Sequence, residues 1–319
     1  MKRLLCALLL TGLAQAQPGT HGVCWSGDGK QIAVGRAGKV IEFYDAGSGR
    51  RLGRVKAPGP AFTSRSFSPD SSYEVSDDIN RLVWSGGNLI SGGEDGEVRL
   101  WQAGKVRAKA GVGYEICGVA LSRDGALMAY SDSSTRYLDS SVRAYRIEAG
   151  KLQEIALEDT GEPESTYGAV QLSPGGRYLA LANATSVWIN DLQDKQVTRL
   201  DFPSKNAFGA KPKVCLSDEE LAVYAENRLE LRPLKEPKKV SATLPIQDAD
   251  EMSFLPQGLS VHAGQQLLTI EGGAITHKLK FSQRPDAYSP DGTRLAVESP
   301  GRVKVYDRKT ARLLLVLKL

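Results

Sequence analysis

The chain has 319 residues, of which 41 are basic and 37 are acidic, and 41% are hydrophobic. This near balance of charge argues against a dedicated nucleic-acid binder, and the hydrophobic content is high enough for a packed core. The 33 glycines and 15 prolines indicate many turns, and three histidines are too few for a histidine-rich metal site.

The first segment has the features of an export signal. Lys2 and Arg3 precede an apolar run from Leu4 to Leu13, and Ala14-Gln15-Ala16 has the small-residue pattern of a cleavage site. We therefore predict a secretory signal peptide over residues 1–16 and a mature protein in the periplasm or outside the cell. A buried N-terminal helix is the alternative. No later segment reaches the roughly 18 apolar residues of a membrane helix, so we expect no membrane span.

Three cysteines remain in the mature chain. Cys24, Cys117 and Cys215 each lie in a short apolar run, about 100 residues apart. An odd number leaves at least one thiol unpaired, and disulfide frameworks belong to smaller domains. We predict that all three are small buried hydrophobic residues.

A repeated unit follows through the mature chain. Each unit contains a tight turn of the type Ser-Pro-Asp-Gly and, later, a strand with apolar residues at every second position. The turns begin at Ser26, Ser68, Ser122, Ser173 and Ser289, with degenerate copies at Ser217 and Leu255. The alternating strands align on Tyr44, Trp101, Tyr145, Asn190, Arg232, Ile270 and Tyr306. The mean spacing of these seven positions is about 44 residues.

A fourth strand follows each alternating strand, as in Arg51–Val55, Lys105–Ala108 and Ala311–Leu319. Four antiparallel strands repeated seven times at this period are typical of a β-propeller. We predict an all-β fold, a seven-bladed propeller of four-stranded antiparallel blades, in a single domain over residues 17–319. The last unit holds its own four strands, so the ring closes without exchange of a strand between the termini.

The mature chain carries a family resemblance, which is strongest in units one, two, three and seven. Residues 22–35 with 40–45, and residues 285–297 with 303–307, resemble WD repeats. The Ser-Pro-Asp-Gly turns also resemble those of exported Tol-system and YVTN-type propellers. These resemblances imply a propeller that binds other molecules. No Gly-His dipeptide opens a unit and Trp-Asp never occurs, which predicts that the family's Asp-His-Ser-Trp hydrogen-bond network is missing and that apolar packing between blades holds the fold.

One insertion breaks the regular spacing. Residues 57–78 add about 14 residues between units one and two, and they contain their own turn. A two-stranded partial blade, even an eighth blade, and a surface excursion without a role are the alternatives. We predict that this insertion and its neighbouring connections form the binding face, since insertions in repeats fall on loop faces. The candidate binding residues are Phe62, Arg65, Tyr73, Tyr114, Tyr167 and Phe208, because aromatic and arginine side chains dominate interfaces.

The sequence contains no recognisable catalytic constellation, phosphate-binding loop or metal-ligand spacing, so we predict no cofactor and no metal. The favoured hypothesis is an exported, monomeric, non-enzymatic scaffold that binds a protein or cell-envelope component and no nucleic acid. The alternative is an exported hydrolase or lactonase with a site at the channel mouth, which convergent buried carboxylates would favour. A purely architectural module is a third possibility.

Overall fold

Seven four-stranded antiparallel sheets and one separate two-stranded sheet form the protein in a computed structural model. The structure describes residues 22–58, 63–68, 71–75, 78–111, 115–133, 140–157, 169–183, 185–202 and 212–319. No helix occurs in these ranges. The predicted all-β propeller with seven blades is therefore confirmed.

The strands run in chain order within each blade. Blade one contains β1 (Val23–Trp25), β2 (Gln31–Arg36), β3 (Val40–Asp45) and β4 (Arg51–Lys56). The separate sheet contains β5 (Thr63–Ser68) and β6 (Ser71–Val75). Blade two contains β7 (Ile79–Ser85), β8 (Asn88–Gly93), β9 (Val98–Gln102) and β10 (Lys105–Ala110). Blade three contains β11 (Glu115–Leu121), β12 (Leu127–Ser133), β13 (Ser140–Glu148) and β14 (Lys151–Ile155).

The second half of the ring continues in the same way. Blade four contains β15 (Ala169–Leu172), β16 (Tyr178–Ala182), β17 (Ser186–Asp191) and β18 (Gln196–Asp201). Blade five contains β19 (Lys213–Leu216), β20 (Glu220–Ala225), β21 (Arg228–Pro233) and β22 (Ala242–Pro245). Blade six contains β23 (Ala249–Leu255), β24 (Gly258–Ala263), β25 (Gln266–Glu271) and β26 (Ala274–Lys280). Blade seven contains β27 (Ala287–Tyr288), β28 (Arg294–Ser299), β29 (Arg302–Asp307) and β30 (Leu313–Lys318).

The turn sequences form because a serine and an aspartate close them from inside. Ser26 Oγ donates to Asp28 Oδ1 at 2.6 Å and accepts from the Gln31 N–H at 2.9 Å, while Gly29 takes a positive φ of 70°. A residue with a side chain would be strained at that φ, which explains the glycine. The same serine–aspartate bond, also at 2.6 Å, recurs in the turns at Ser122 and Ser289.

One predicted turn belongs to a different element. Residues 68–71 connect β5 to β6, so this turn closes the separate hairpin and not blade two. The first turn of blade two is Gly86–Gly87, with both φ angles positive, which fits a two-residue hairpin connection. The insertion is thus a two-stranded hairpin outside the seven blades, and the assignment of Ser68 to blade two was wrong.

The core is divided into seven layers, each between two neighbouring blades. Between blades two and three, for example, Ile90 and Leu100 pack against Ile116 and Met128, and all four are fully buried. A separate apolar cluster fills each of the other six junctions. Each blade therefore buries both faces only through its neighbours, as the alternating strands predict.

Cys24 and Cys215 are free thiols. Cys24 and Cys215 are buried among apolar side chains, and burial raises the pKa of Cys215 to about 12. Cys117 is only partly buried, because it lies at a bulge in β11 beside the central channel. The prediction of a buried hydrophobic role is confirmed for two of the three and was wrong for Cys117.

Part of the polar network predicted to be missing is present in blade two. The Trp101 indole N–H donates to Ser91 Oγ at 2.8 Å, and both residues are buried. Beside them, Asp95 forms an ion pair with Arg99. It forms another with Lys39 of blade one, whose Nζ lies 3.3 Å from Asp95 Oδ2. Sequence reasoning missed this pair because it searched for Trp-Asp and Gly-His dipeptides, whereas the bond joins two adjacent strands.

Blades seven and one close the ring without exchanging a strand, as predicted. The Arg294 guanidinium lies 4.7 Å from the centre of the Trp25 ring. Its two Nη atoms donate to the carbonyl oxygens of Ala46 and Gly29, each at 3.0 Å. One side chain thus connects blade seven to two turns of blade one.

The burial of Trp101 gives a stability prediction. Trp101→Ala removes an indole that is 2% exposed and leaves a cavity, so we expect the free energy of unfolding to fall by about 3–5 kcal/mol. Trp101→Phe keeps most of the packing and loses the bond to Ser91, so it should cost about 1–2 kcal/mol. Denaturant unfolding measures both. A loss below about 1 kcal/mol for Trp101→Ala would contradict the packing described here.

Candidate binding surface

One face of the ring surrounds the opening of the central channel. The first strand of every blade begins on this face and the second strand ends on it, and the connections from each outer strand to the next blade also lie there. We call it the mouth face. A cavity of 490 Å³ occupies the channel and is lined by the inner strands of blades one to six and by Arg284 and Asp286, just before β27.

Five carboxyl groups on the mouth face are held in surroundings that disfavour their charge. Burial raises the pKa of each of them. They are Glu94, Asp132, Glu251, Asp286 and Glu298, and they come from blades two, three, six and seven.

Two of these carboxyl groups lie at the junction where the ring closes. The Glu298 N–H donates to Asp286 Oδ2, and the Gly22 N–H donates to Glu298 Oε2 at 3.4 Å. Burial, followed by repulsion from Asp286, raises the pKa of Glu298 to about 7. Glu298 is therefore partly protonated near neutral pH, and the two carboxyl groups accept hydrogen bonds from the backbone of both terminal blades.

Basic groups accompany the acids in the channel. Arg284 Nη2 lies 3.2 Å from Glu251 Oε2, and Lys213 Nζ donates to the Ala249 carbonyl at 2.8 Å. Burial lowers the pKa of Lys213. The mixture of both signs in one cavity suits a polar protein surface or peptide more than a single type of small ion.

A buried histidine supports the mouth face from beneath. His262 Nδ1 lies 2.6 Å from Asp250 Oδ1, and its Nε2 lies 3.0 Å from the Phe281 carbonyl. Both ring nitrogens thus face oxygen acceptors, which fixes the ring and the start of β23. His262 is 1% exposed, so its ring is held inside the blade, while the Asp250 carboxyl that it contacts lines the channel cavity.

On the opposite face, the carboxyl groups of the turns have lowered pKa values, in contrast to the raised pKa values at the mouth. Asp28, Asp45, Asp124 and Asp307 occupy its turns, and hydrogen bonds from neighbouring Ser or Thr hydroxyl groups lower the pKa of each. Those carboxylates are satisfied within their own turns. The acids whose pKa is raised are concentrated instead around the channel mouth, where a binding partner could compensate their charge.

The inserted hairpin joins the mouth face. It connects β4 to β7, and its far end at Asp78 lies beside Glu94, whose N–H donates to the Asp78 carbonyl at 3.4 Å. Within the hairpin, Arg65 and Tyr73 are direct cross-strand partners. Two of the predicted binding residues are therefore paired positions of this hairpin.

The other four predicted binding residues, Phe62, Tyr114, Tyr167 and Phe208, lie outside the described residues. Sequence reasoning missed Asp286 and Glu298. These two carboxyl groups are 12 positions apart and lie on either side of β27, so only the pairing of β27 with β28 brings them together. No motif marks them.

Within the described ranges, no three His, Cys, Asp or Glu side chains are grouped closely enough to hold a metal ion. The same ranges contain no helix that could cross a membrane.

Comparisons with known proteins agree with this fold. The family profile described as "WD domain, G-beta repeat" matches residues 52–102, from the outer strand of blade one through the third strand of blade two. No curated protein matches the chain.

Solved propellers are similar to it over most of its length. The structure of U3-55K shares 13% identity over 88% of each chain, with a TM-score of 0.62. The Cps50 (Swd1) β-propeller domain of Myceliophteria thermophila shares 13% identity over 95% of this chain and 98% of that chain, with a TM-score of 0.61. A chain of the mitotic checkpoint complex shares 14% identity over 88% of this chain and 84% of that one, with a TM-score of 0.65. At these identities the likeness concerns the fold alone.

The raised pKa of Glu298 predicts a pH dependence of stability. The carboxyl binds its proton more tightly in the folded than in the unfolded state, so stability is full below about pH 4.5 and falls as pH rises through about 7. Glu298→Gln removes the loss of stability that comes from ionising the buried carboxyl, and it retains an oxygen that accepts from the Gly22 N–H. We expect its melting temperature at pH 8 to exceed that of the wild type by about 2 °C, with no gain at pH 4.5.

The exposed Glu236→Gln provides the control, since Glu236 lies on a turn of blade five away from the mouth face. Equal effects of the two substitutions at pH 8, or a gain for Glu298→Gln that is independent of pH, would refute the assignment.

Proposed function

We propose that this WD-repeat-like β-propeller is an exported, monomeric scaffold that binds a protein of the cell envelope through its mouth face. The β5–β6 hairpin would supply part of the contact, with Arg65 and Tyr73 as anchors. The propeller fold itself is typical of scaffolds for protein–protein interaction. We infer in addition that the partner belongs to the cell envelope.

The observation that carries the proposal is the concentration of irregular features on one face. The hairpin, which is the one sheet outside the seven blades in the described ranges, leaves the ring beside Glu94, and the acids with raised pKa surround the same opening. The seven blades form without any strand pairing to the hairpin. Uncompensated charges and an added hairpin at one mouth are what a recognition surface requires.

Export rests on the first residues of the sequence. A basic start, a short apolar run and Ala14-Gln15-Ala16 occur in the order of a secretory signal. In protein from the native host, N-terminal sequencing should begin at Gln17, and Met1 as the first residue would refute export. The binding domain would then extend over residues 17–319.

An exported hydrolase is the second candidate. Its support is the convergence of Glu251, Asp286 and Glu298 at the channel mouth, since a carboxyl with a pKa near 7 is suited to proton transfer. Against it, both carboxyl groups accept backbone hydrogen bonds, Asp286 from Glu298 within blade seven and Glu298 from Gly22 of blade one, which gives them a structural role. Turnover of a lactone or glycoside panel, lost in Glu251→Gln, would favour the enzyme.

Removal of the hairpin tests the scaffold. A short Gly-Ser linker in place of residues 60–76 leaves Ala57 and Ile79 in their buried positions, and the hairpin has no strand pairing with any blade. We therefore expect the melting temperature to change by about 2 °C or less. Capture of the partner from an envelope extract, measured by mass spectrometry with the mature protein as bait, should be abolished.

The double variant Arg65→Ala, Tyr73→Ala separates side-chain contacts from the presence of the hairpin, and it should also lose capture. If the deletion unfolds the protein, the hairpin is structural. If capture persists after the deletion, the charged residues around the channel mouth, and not the hairpin, bind the partner.

A further inference from the structure

The outer strands of the blades divide the rim of the ring into two halves of different charge. The outer strands of four adjacent blades contain nine Lys and Arg residues and no acidic residue. Blade six contributes two of these residues, blade seven one, blade one three and blade two three. Those of blades three, four and five contain two basic and two acidic residues. A nearly neutral chain thus has a continuous basic rim over four adjacent blades, which we call the basic rim.

Exposed apolar side chains lie within the basic rim. Five large hydrophobic residues of the described chain are exposed, and four of them belong to β30 and β4. Leu313, Leu314 and Val316 of β30 are 47%, 42% and 38% exposed, and Leu52 of β4 is 44% exposed. β30 reads Leu-Leu-Leu-Val-Leu-Lys, and such an apolar edge strand attracts a further strand unless it is protected.

The backbone of β30 is available for that pairing. β30 is the last strand of its sheet and pairs only with β29. The Leu319 N–H donates to the Gly301 carbonyl, and the alternation of an antiparallel ladder then turns the N–H and C=O of Val316 away from β29. Val316 therefore presents a donor and an acceptor to an incoming strand.

We propose that the edge of β30 is a docking site for an extended segment of a partner protein that alternates apolar and acidic residues. The segment adds to blade seven as a fifth strand. On one side, its apolar residues cover Leu313 and Val316. On the other side, its acidic residues meet Arg54 of β4. Arg54 is paired with Glu42 of β3 in the strand register, and it has no ion-pair partner in the described part of the chain. This inference rests on the proposed scaffold function and adds a second surface to it.

Two other occupants fit less well. A second copy of the chain would bring two basic rims together, and like charges repel. A bilayer could attract the basic residues, but it cannot satisfy the outward N–H and C=O groups of an open strand edge. An acidic strand satisfies both the charge and the backbone, which is the mode called β-augmentation.

The test is a titration of the mature chain with a fluorescein-labelled peptide of about eight residues in which Val and Glu alternate, followed by anisotropy. Val316→Pro removes the outward N–H without breaking a bond to β29, and we expect it to weaken binding by about tenfold or more. Arg54→Glu should weaken binding to a similar extent and raise no question of strand folding.

Thr243→Pro is the matched control. Thr243 lies on β22, the uncharged outer strand of blade five, where the bond from Ile246 N–H to the Asn227 carbonyl places the Thr243 N–H outward in the same way. Pro245 already occupies the next outward position of that edge. Thr243→Pro should therefore bind the peptide as the wild type does.

Several results would overturn the proposal. The first is that Val316→Pro and Thr243→Pro weaken peptide binding equally, and the second is that a Val-Lys peptide binds as tightly as the Val-Glu peptide. The third is a dimer, seen by light scattering, that Val316→Pro dissociates. The fourth is that the protein binds phosphatidylglycerol vesicles and not the peptide. The variant without residues 60–76 keeps β30 and should bind the peptide normally. Failure of mouth-face capture and failure of edge docking are thus read out separately.

Discussion

The structure depends on one constraint, which is that every blade buries its two faces only against its neighbours. No blade can be completed alone, so the ring must close, and the junction of blades seven and one has to hold without an exchanged strand. Arg294 meets this need by stacking on Trp25 and donating to the carbonyl oxygens of Ala46 and Gly29. On the other face of the same junction, Glu298 accepts from the Gly22 N–H. Polar contacts that reach across the junction thus supplement the apolar layer between these blades, which includes Val34 and Leu317.

The junction of blades one and two has a different solution. Buried charges supplement its apolar layer: Asp95 pairs with Arg99 of its own blade and with Lys39 of blade one, and Trp101 bonds Ser91. Ion pairs that are almost fully buried are costly to desolvate, and they fix geometry more than they add stability. The inserted hairpin leaves the ring at this junction. A rigid base is what a projecting hairpin needs if Arg65 and Tyr73 are to meet a partner in a defined position.

Charge is sorted by location although the chain as a whole is nearly neutral. The negative charge of turn aspartates such as Asp28 is stabilised within their own turns by hydroxyl and N–H donors. Acids at the mouth, such as Glu251, are half-buried and incompletely compensated, and the outer edges of four blades carry only basic residues. The protein therefore offers two electrostatically distinct surfaces at right angles, the mouth face and the basic rim. A partner with both an acidic extended segment and a folded domain could engage both at once.

The sequence by itself determined the local structure. Alternation around Tyr44 and Trp101 placed the third strands, Ser-x-Asp-Gly placed the turns, and the spacing set the number of blades, because strands and tight turns depend on residues close in sequence. It located Arg65 and Tyr73 in an insertion without showing that they occupy paired positions of one hairpin. Only the tertiary structure decided that residues 68–71 close a separate hairpin, that Trp101 bonds Ser91, and that Asp286 approaches Glu298. It alone showed that β30 remains an exposed apolar edge. These features depend on which strands become neighbours and which edges stay open, and that is set by closure of the whole ring and not by any single repeat.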